Sequence, residues 1–278
     1  MNNDNFEYCI LDADSLIYQI AHTEPSPNLC KKKFDDRIAE IISNTDALGS
    51  YVFIKGETNF RHSYPTYKAN RKDNIDPAVK ERIKKLYTHA KEFCVEADGA
   101  EADDYVRLAA VGCAEKNLSF IVAHIDKDLN CIPGWHYNFR TGTSTQILPV
   151  EAYTFQMQQL LMGDSTDNIG GIRGVGIARA EKILKDIPPE RMLSEVISIW
   201  QNKVGRMWKC EFTECANLIY MRESSDDLRV LSFEELEERF AWKTTDIGSP
   251  SVSDQQEHLG SSTLSSDQPE DSTSEESS

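Results

Sequence analysis

Asp164 and Asp167 follow an apolar helix end and a glycine, in the run LLMGDSTDNIGGIRGVGIARAEKIL of residues 160–184. Behind them come Gly170, Gly171, Gly174 and Gly176, which open into a second helical pattern, Ala178, Ala180, Ile183 and Leu184. Glycines leave a loop backbone open to close approach, and a helix start presents unpaired N–H groups. Such a surface suits a phosphate. Paired carboxylates at its mouth suit a hard divalent cation. Together they point to chemistry on a phosphodiester.

More acids occur where strands should end. Residues 8–11 form an unalternating apolar run that stops at Asp12. Such a run reads as a buried parallel strand, and in open α/β sheets functional side chains collect at the carboxyl ends of strands. Asp14 is expected to cap the helix carrying Leu16, Ile17 and Ile20. Residues 119–125 (SFIVAHI) make the clearest strand and end at Asp126-Lys127-Asp128. Glu101, Asp103 and Asp104 fall in the first turn of a helix, where Glu101 and Asp104 share a face. The helix dipole alone favours acids there. Three within four residues repel one another, and a cation is the usual remedy.

Positioning these acids takes alternating elements. Further strands are expected at 51–54 and 93–95, with an edge pair at 135–139 and 145–148. Helices are expected at 34–42, 79–90, 150–162, 192–200, 208–221 and 233–240. Alternation gives way to helices alone near residue 150. The expected division is an α/β core over 1–150, a helical region over 151–244 and a Ser-rich acidic tail over 245–278. The tail has little to bury and is expected to be disordered.

Net charge is −16, but no Lys or Arg follows Lys243, and eight acids beyond it account for half of that total. From Lys55 to Lys91 the balance inverts, with ten Lys/Arg against four Asp/Glu. Phe60, Arg61, Tyr64, Tyr67, Lys68, Arg71 and Lys72 interleave rings and cations there, a combination that suits single-stranded nucleic acid. A solvated basic loop anchored by its aromatics fits the same composition; the basic helix that follows favours nucleic acid. No apolar run is long enough to span a bilayer, no leader opens the chain, and the seven cysteines are scattered singly. The expectation is a soluble cytoplasmic protein (host cytoplasm, if viral) with reduced thiols and no membrane partner.

In order along residues 6–185, Asp12, FRHSYPTYKANR, GAEADD, DKDL and GDSTDNIGGIRGVG resemble the 5′ nuclease family. That family comprises phage 5′–3′ exonucleases, flap endonucleases and the exonuclease domain of bacterial DNA polymerase I. The resemblance implies an α/β fold: a twisted, mostly parallel sheet flanked by helices (a PIN-like core), then a helical region with a helix–three-turn–helix DNA-binding element. It implies a 5′–3′ exonuclease and structure-specific flap endonuclease acting on DNA duplexes with a 5′ end, nick or flap, and on RNA in RNA–DNA hybrids. Two Mg²⁺ or Mn²⁺ ions are implied, one among Asp12, Glu101, Asp103 and Asp104, the other among Asp126, Asp128, Asp164 and Asp167. Asp126 and Asp128 would also be catalytic, with Lys68 and Arg71 on a basic arch over about 55–91 gripping the scissile phosphate. Arg61 would contact nucleic acid and Tyr67 would stack on a base. Gly171, Gly174, Gly176 and Arg179 would hold duplex backbone, with K⁺ at that loop, and the tail would meet a replication partner. Relatives often carry an Asp after the second strand, where Ile54, Lys55 and Gly56 stand here. The first ion then lacks a ligand, or Glu57 substitutes.

Two other readings compete: a PIN-like ribonuclease, against which the duplex-gripping hairpin argues, and a catalytically idle DNA-binding relative. A calcium-buffering surface fails, because the acids come from separate strand ends and lack an EF-hand loop.

Overall fold

Strand β1 (Tyr8–Asp12) is buried along nearly its whole length, and β4 (Phe120–His124) along all of it. The two lie parallel and adjacent, Tyr8 opposite Phe120. Around them runs a six-stranded sheet, ordered β3 (Val95–Ala97), β2 (Gly49–Lys55), β1, β4, β5 (Gly134–Asn138) and β6 (Thr143–Ile147). All neighbouring pairs are parallel except the β5–β6 hairpin. The computed structural model describes residues 5–71 and 74–243. Lys72 and the acidic tail lie outside them.

Alternate residues of the strands feed two apolar layers, as the two-residue period of a strand requires. Cys9, Leu11, Val52 and Ile54 pack against α1 (Asp14–Thr23), α2 (Pro27–Asn44) and α3 (Pro77–Ala90). Ile10, Phe53, Phe120 and Val122 pack on the other side against α4 (Ala102–Glu115). A third core joins α5 (Pro149–Met162), α6 (Ile177–Leu184), α7 (Pro189–Val204), α8 (Trp208–Ile219) and α9 (Phe233–Phe240) around Trp200, Phe212 and Phe240. Tyr67 enters this core from the other end of the sequence. The switch from alternation to helices near residue 150 falls inside one compact unit that takes in all the described residues.

Several elements differ in extent from expectation, among them α7, which runs Pro189–Val204 rather than 192–200; two of the differences have a local cause. The second helix starts at Pro27 rather than 34, because Ser26 accepts the Leu29 N–H and Pro27 suits a first helical position. Its stripe Cys30, Phe34, Ile38 and Ile41 is buried throughout. The third strand starts at Val95 rather than 93, because the end of α3 continues in turns that bring the Cys94 N–H to the Ala90 carbonyl. All seven cysteines are free, and Cys210 on α8 is the exposed one. Among the described residues no helix is long and apolar enough to cross a membrane.

Candidate active site

From β1 the chain moves to β2 on one side, and from β4 to β5 on the other. A crevice opens at the carboxyl ends of strands where the connections diverge in this way. Asp12 ends β1 and Asp126 follows β4. Asp128 lies in the 3₁₀ turn Lys127–Cys131, and Asp103 in the first turn of α4. Asp164 comes from a two-residue strand, β7 (Gly163–Asp164), paired with β8 (Ile169–Gly170). Glu101, Asp103, Asp126, Asp128, Asp164 and Asp167 line one cleft of about 150 Å³ with Lys68 and Arg71.

Local bonds aim these acids. Asp12 accepts from the Asp14 N–H (3.1 Å), Asp126 from Asp128 (2.9 Å) and Asp164 from Thr166 (2.7 Å). Gln159, one turn before the end of α5, donates its amide to Asp128 at 2.8 Å. Sequence reasoning passed over it, although its position five residues before Asp164 was a signal. Lys127 reaches Asp164 at 3.4 Å.

The acids are crowded. Burial first, then the charges of Asp14 and Asp126, push Asp12 up to about 7. Burial, then Asp12 and Asp126, push Asp103 well above the carboxylate range. Burial, then Asp126, push Asp128 up to about 7. Crowded, partly buried carboxylates that repel one another and offer only oxygen donors fit a divalent cation. Among the described residues no three acidic, histidine or cysteine side chains converge to enclose an ion by themselves.

Glu101 differs from its neighbours. The Lys68 ammonium sits on its Oε1 and the Tyr67 hydroxyl donates to its Oε2 at 2.6 Å. Burial alone would raise Glu101; the charges of Arg61 and Lys68, with the Lys68 and Tyr67 bonds, outweigh it and hold the carboxyl below its usual range. Asp167 accepts from Arg71 and lies 3.5 Å from the Lys68 ammonium.

Several expected roles are corrected. Asp104 does not face the cleft. It is fully buried, pairs with Arg61 and accepts the Arg222 N–H, so its oxygens are not offered to a metal. Arg61 lines the same cleft, but it is 2 % exposed and its guanidinium is held by that pairing rather than presented to nucleic acid. Tyr67, 7 % exposed, has its ring in the helical core and is not free to stack on a base. Asp14 does not cap α1: its carboxylate accepts from the Lys55 N–H (3.0 Å) and the Tyr87 hydroxyl (2.6 Å). Glu57 does not replace the acid missing near Ile54, because its exposed side chain pairs with Lys91 (3.1 Å), while Ile54 is buried in the core.

In the hairpin, Gly171 answers to packing: a Cβ there would lie 2.0 Å from the Met162 carbonyl carbon. Gly174 has φ +79, which glycine adopts most readily. Gly176 precedes α6 and Arg179 is exposed on it, folded back to the Gly174 carbonyl at 3.3 Å.

No protein-family model matches the chain. It is 30% identical over 170 residues to a flap endonuclease of a Shewanella species, a match covering 56% of this chain and 63% of that one. It is 27% identical over 172 residues to DNA polymerase I of Bacillus caldotenax, covering 55% of this chain and 19% of the polymerase. The match thus spans less than two thirds of either relative. Among solved structures, a bacteriophage T5 flap endonuclease in a complex with DNA and metal ions superposes with a TM-score of 0.56 at 16% identity, covering 84% of this chain and 97% of that one. By sequence the chain is related to flap endonucleases and to DNA polymerase I, and it shares the fold of a phage 5′ nuclease.

Proposed function

We propose that the chain is a divalent-metal-dependent 5′–3′ exonuclease and structure-specific flap endonuclease that hydrolyses phosphodiester bonds in DNA, and in RNA paired with DNA. One observation carries this reading: Lys68 and Arg71 meet six carboxylates in a single cleft at the diverging strand ends, with the glycine hairpin immediately after Asp167. Mg²⁺ or Mn²⁺ ions among Asp12, Asp103, Asp126, Asp128, Asp164 and Asp167 would supply an activated water and stabilise the leaving oxygen. The chain's own residues do the rest. Lys68 and Arg71 exchange their carboxylate partners for the scissile phosphate and offset charge that grows in the transition state. Until substrate arrives, Glu101 holds Lys68 in place. Gly174, Gly176 and Arg179 hold duplex backbone without reading sequence, with K⁺ at that loop.

The test is a branched DNA labelled at the 5′ end of its flap, incubated with and without Mg²⁺. Metal-dependent release of a short oligonucleotide near the junction marks flap cleavage. Mononucleotides from flap and blunt duplex alike mark 5′ exonuclease action. Binding without cutting in Mg²⁺ or Mn²⁺ overturns the reading in favour of an idle DNA-binding relative, for which buried Ile54 in place of an acid is the pertinent observation.

A further inference from the structure

The segment carrying the two catalytic cations is fastened along its length to the turn carrying the acids. The Lys68 N–H donates to the Asp167 carbonyl at 2.8 Å. On either side, the Asn168 amide donates to the Thr66 carbonyl (2.7 Å) and the Asn70 amide to the Ser165 carbonyl (2.9 Å). Three bonds thus join residues 66–70 to 165–168 in antiparallel sense, the outer two made by asparagine side chains. Both segments turn sharply here: Lys68 has φ +55 and Asn168 φ +57, a region that residues with a Cβ seldom adopt and asparagine tolerates best. A lysine held there persists when its surroundings over-determine it, and such backbone clusters at functional sites.

Resting on the nuclease reading above, we infer that Asn70 and Asn168 are positioning residues: they clamp the basic segment to the acid turn and so set the height of Lys68 and Arg71 over the carboxylates. Neither side chain touches the reacting atoms. Their amides hold the two flanks of Lys68, so that its backbone stays in the left-handed turn that aims its ammonium at Glu101 and Asp167. Without the clamp, the stretch from Lys68 to Arg71 keeps the Lys68 backbone bond, the anchorage of neighbouring Tyr67 in the helical core, and the ion pairs to carboxylates, which the substrate phosphate must break. The clamp survives that exchange and holds the residues on both sides of Lys68.

The test uses Asn168→Gly, which keeps the left-handed backbone accessible while removing the amide, and Asn70→Ala at an exposed position. On a 5′-flap DNA in Mg²⁺, each is expected to lower kcat on the order of tenfold, with the DNA Kd changed less than twofold. In a Lys68→Ala background the Asn168→Gly substitution is expected to cost less than a further twofold, because it acts through Lys68. Unchanged kcat in both variants overturns this inference alone, provided the unmodified chain cuts. So does a loss that persists undiminished in the Lys68→Ala background, or one that follows a fall in the thermal midpoint. Failure of the unmodified chain to cut any 5′-ended DNA overturns the nuclease reading first and this inference with it.

Discussion

Arg61 and Asp104 face each other through two parallel hydrogen bonds, Nη1 to Oδ2 at 2.5 Å and Nη2 to Oδ1 at 2.9 Å, with both side chains out of reach of solvent. The guanidinium also donates to the Leu218 and Tyr220 carbonyls, and the carboxylate accepts the Glu101 and Arg222 N–H groups. The pair ties the 3₁₀ turn Phe60–Ser63 to the start of α4 and the end of α8. Removing either partner strands a buried charge, at a cost of about 3–5 kcal/mol. Asp104→Ala and Arg61→Ala should therefore lower the urea midpoint sharply. Normal stability with weakened metal or DNA binding would restore the ligand and contact roles to these two residues.

Asp128 gives a pH-dependent prediction. Burial and the Asp126 charge raise it to about 7 from an ordinary 3.8. Between those values the folded state holds a proton that the unfolded chain has released, so this group costs stability progressively as pH rises from about 4 to 7. Asp128→Asn should stabilise the metal-free protein at pH 8, on the order of 2 kcal/mol, and leave it unchanged at pH 4. Mg²⁺ should raise the melting midpoint of the unsubstituted chain more at pH 8 than at pH 5, and do less for the variant. An Asp128→Asn protein no more stable than its parent at pH 8 would show that the crowding is relieved some other way.

Asp126→Asn and Asp164→Asn preserve shape and remove charge. Each should lower cleavage of a flap DNA by at least about a hundredfold while leaving its Kd within a fewfold, since these groups act on the reacting phosphate rather than on the duplex. Retained cleavage in both would refute the metal role.

Gly174 combines φ +79 with open space, its imagined Cβ meeting only an Arg179 nitrogen at 4.0 Å. Gly174→Glu adds a negative charge where duplex phosphate is proposed to lie, at a backbone cost of roughly 1–2 kcal/mol. Affinity for duplex DNA should fall more than tenfold by fluorescence anisotropy, and less for Gly174→Ala. Equal affinity in both would remove the hairpin from the interface.

What the sequence makes legible divides along physical lines. Apolar runs ending in acids mark β1 and β4, because a strand buried on both faces has no reason to alternate. The glycine hairpin and the helix after it are readable for the same kind of reason, local backbone demand. What fails is the direction of a side chain when its partner lies far along the chain. Asp104 and Arg61 are 43 residues apart, and Arg61 meets carbonyls 157 and 159 residues away. No local pattern records those meetings. In the same way Asp14 looks like a helix cap until Lys55 and Tyr87 arrive beside it.

The thiols have a practical consequence. Burial, the leading cause in each case, pushes six of them, Cys9, Cys30, Cys94, Cys113, Cys131 and Cys215, above their ordinary pKa, which slows their attack on an electrophile. Cys210 stands exposed on α8, the helix that packs against the β7–β8 ribbon. A maleimide dye offered briefly at neutral pH therefore has one favoured address, and the unaltered chain comes ready for a fluorescence reporter on α8.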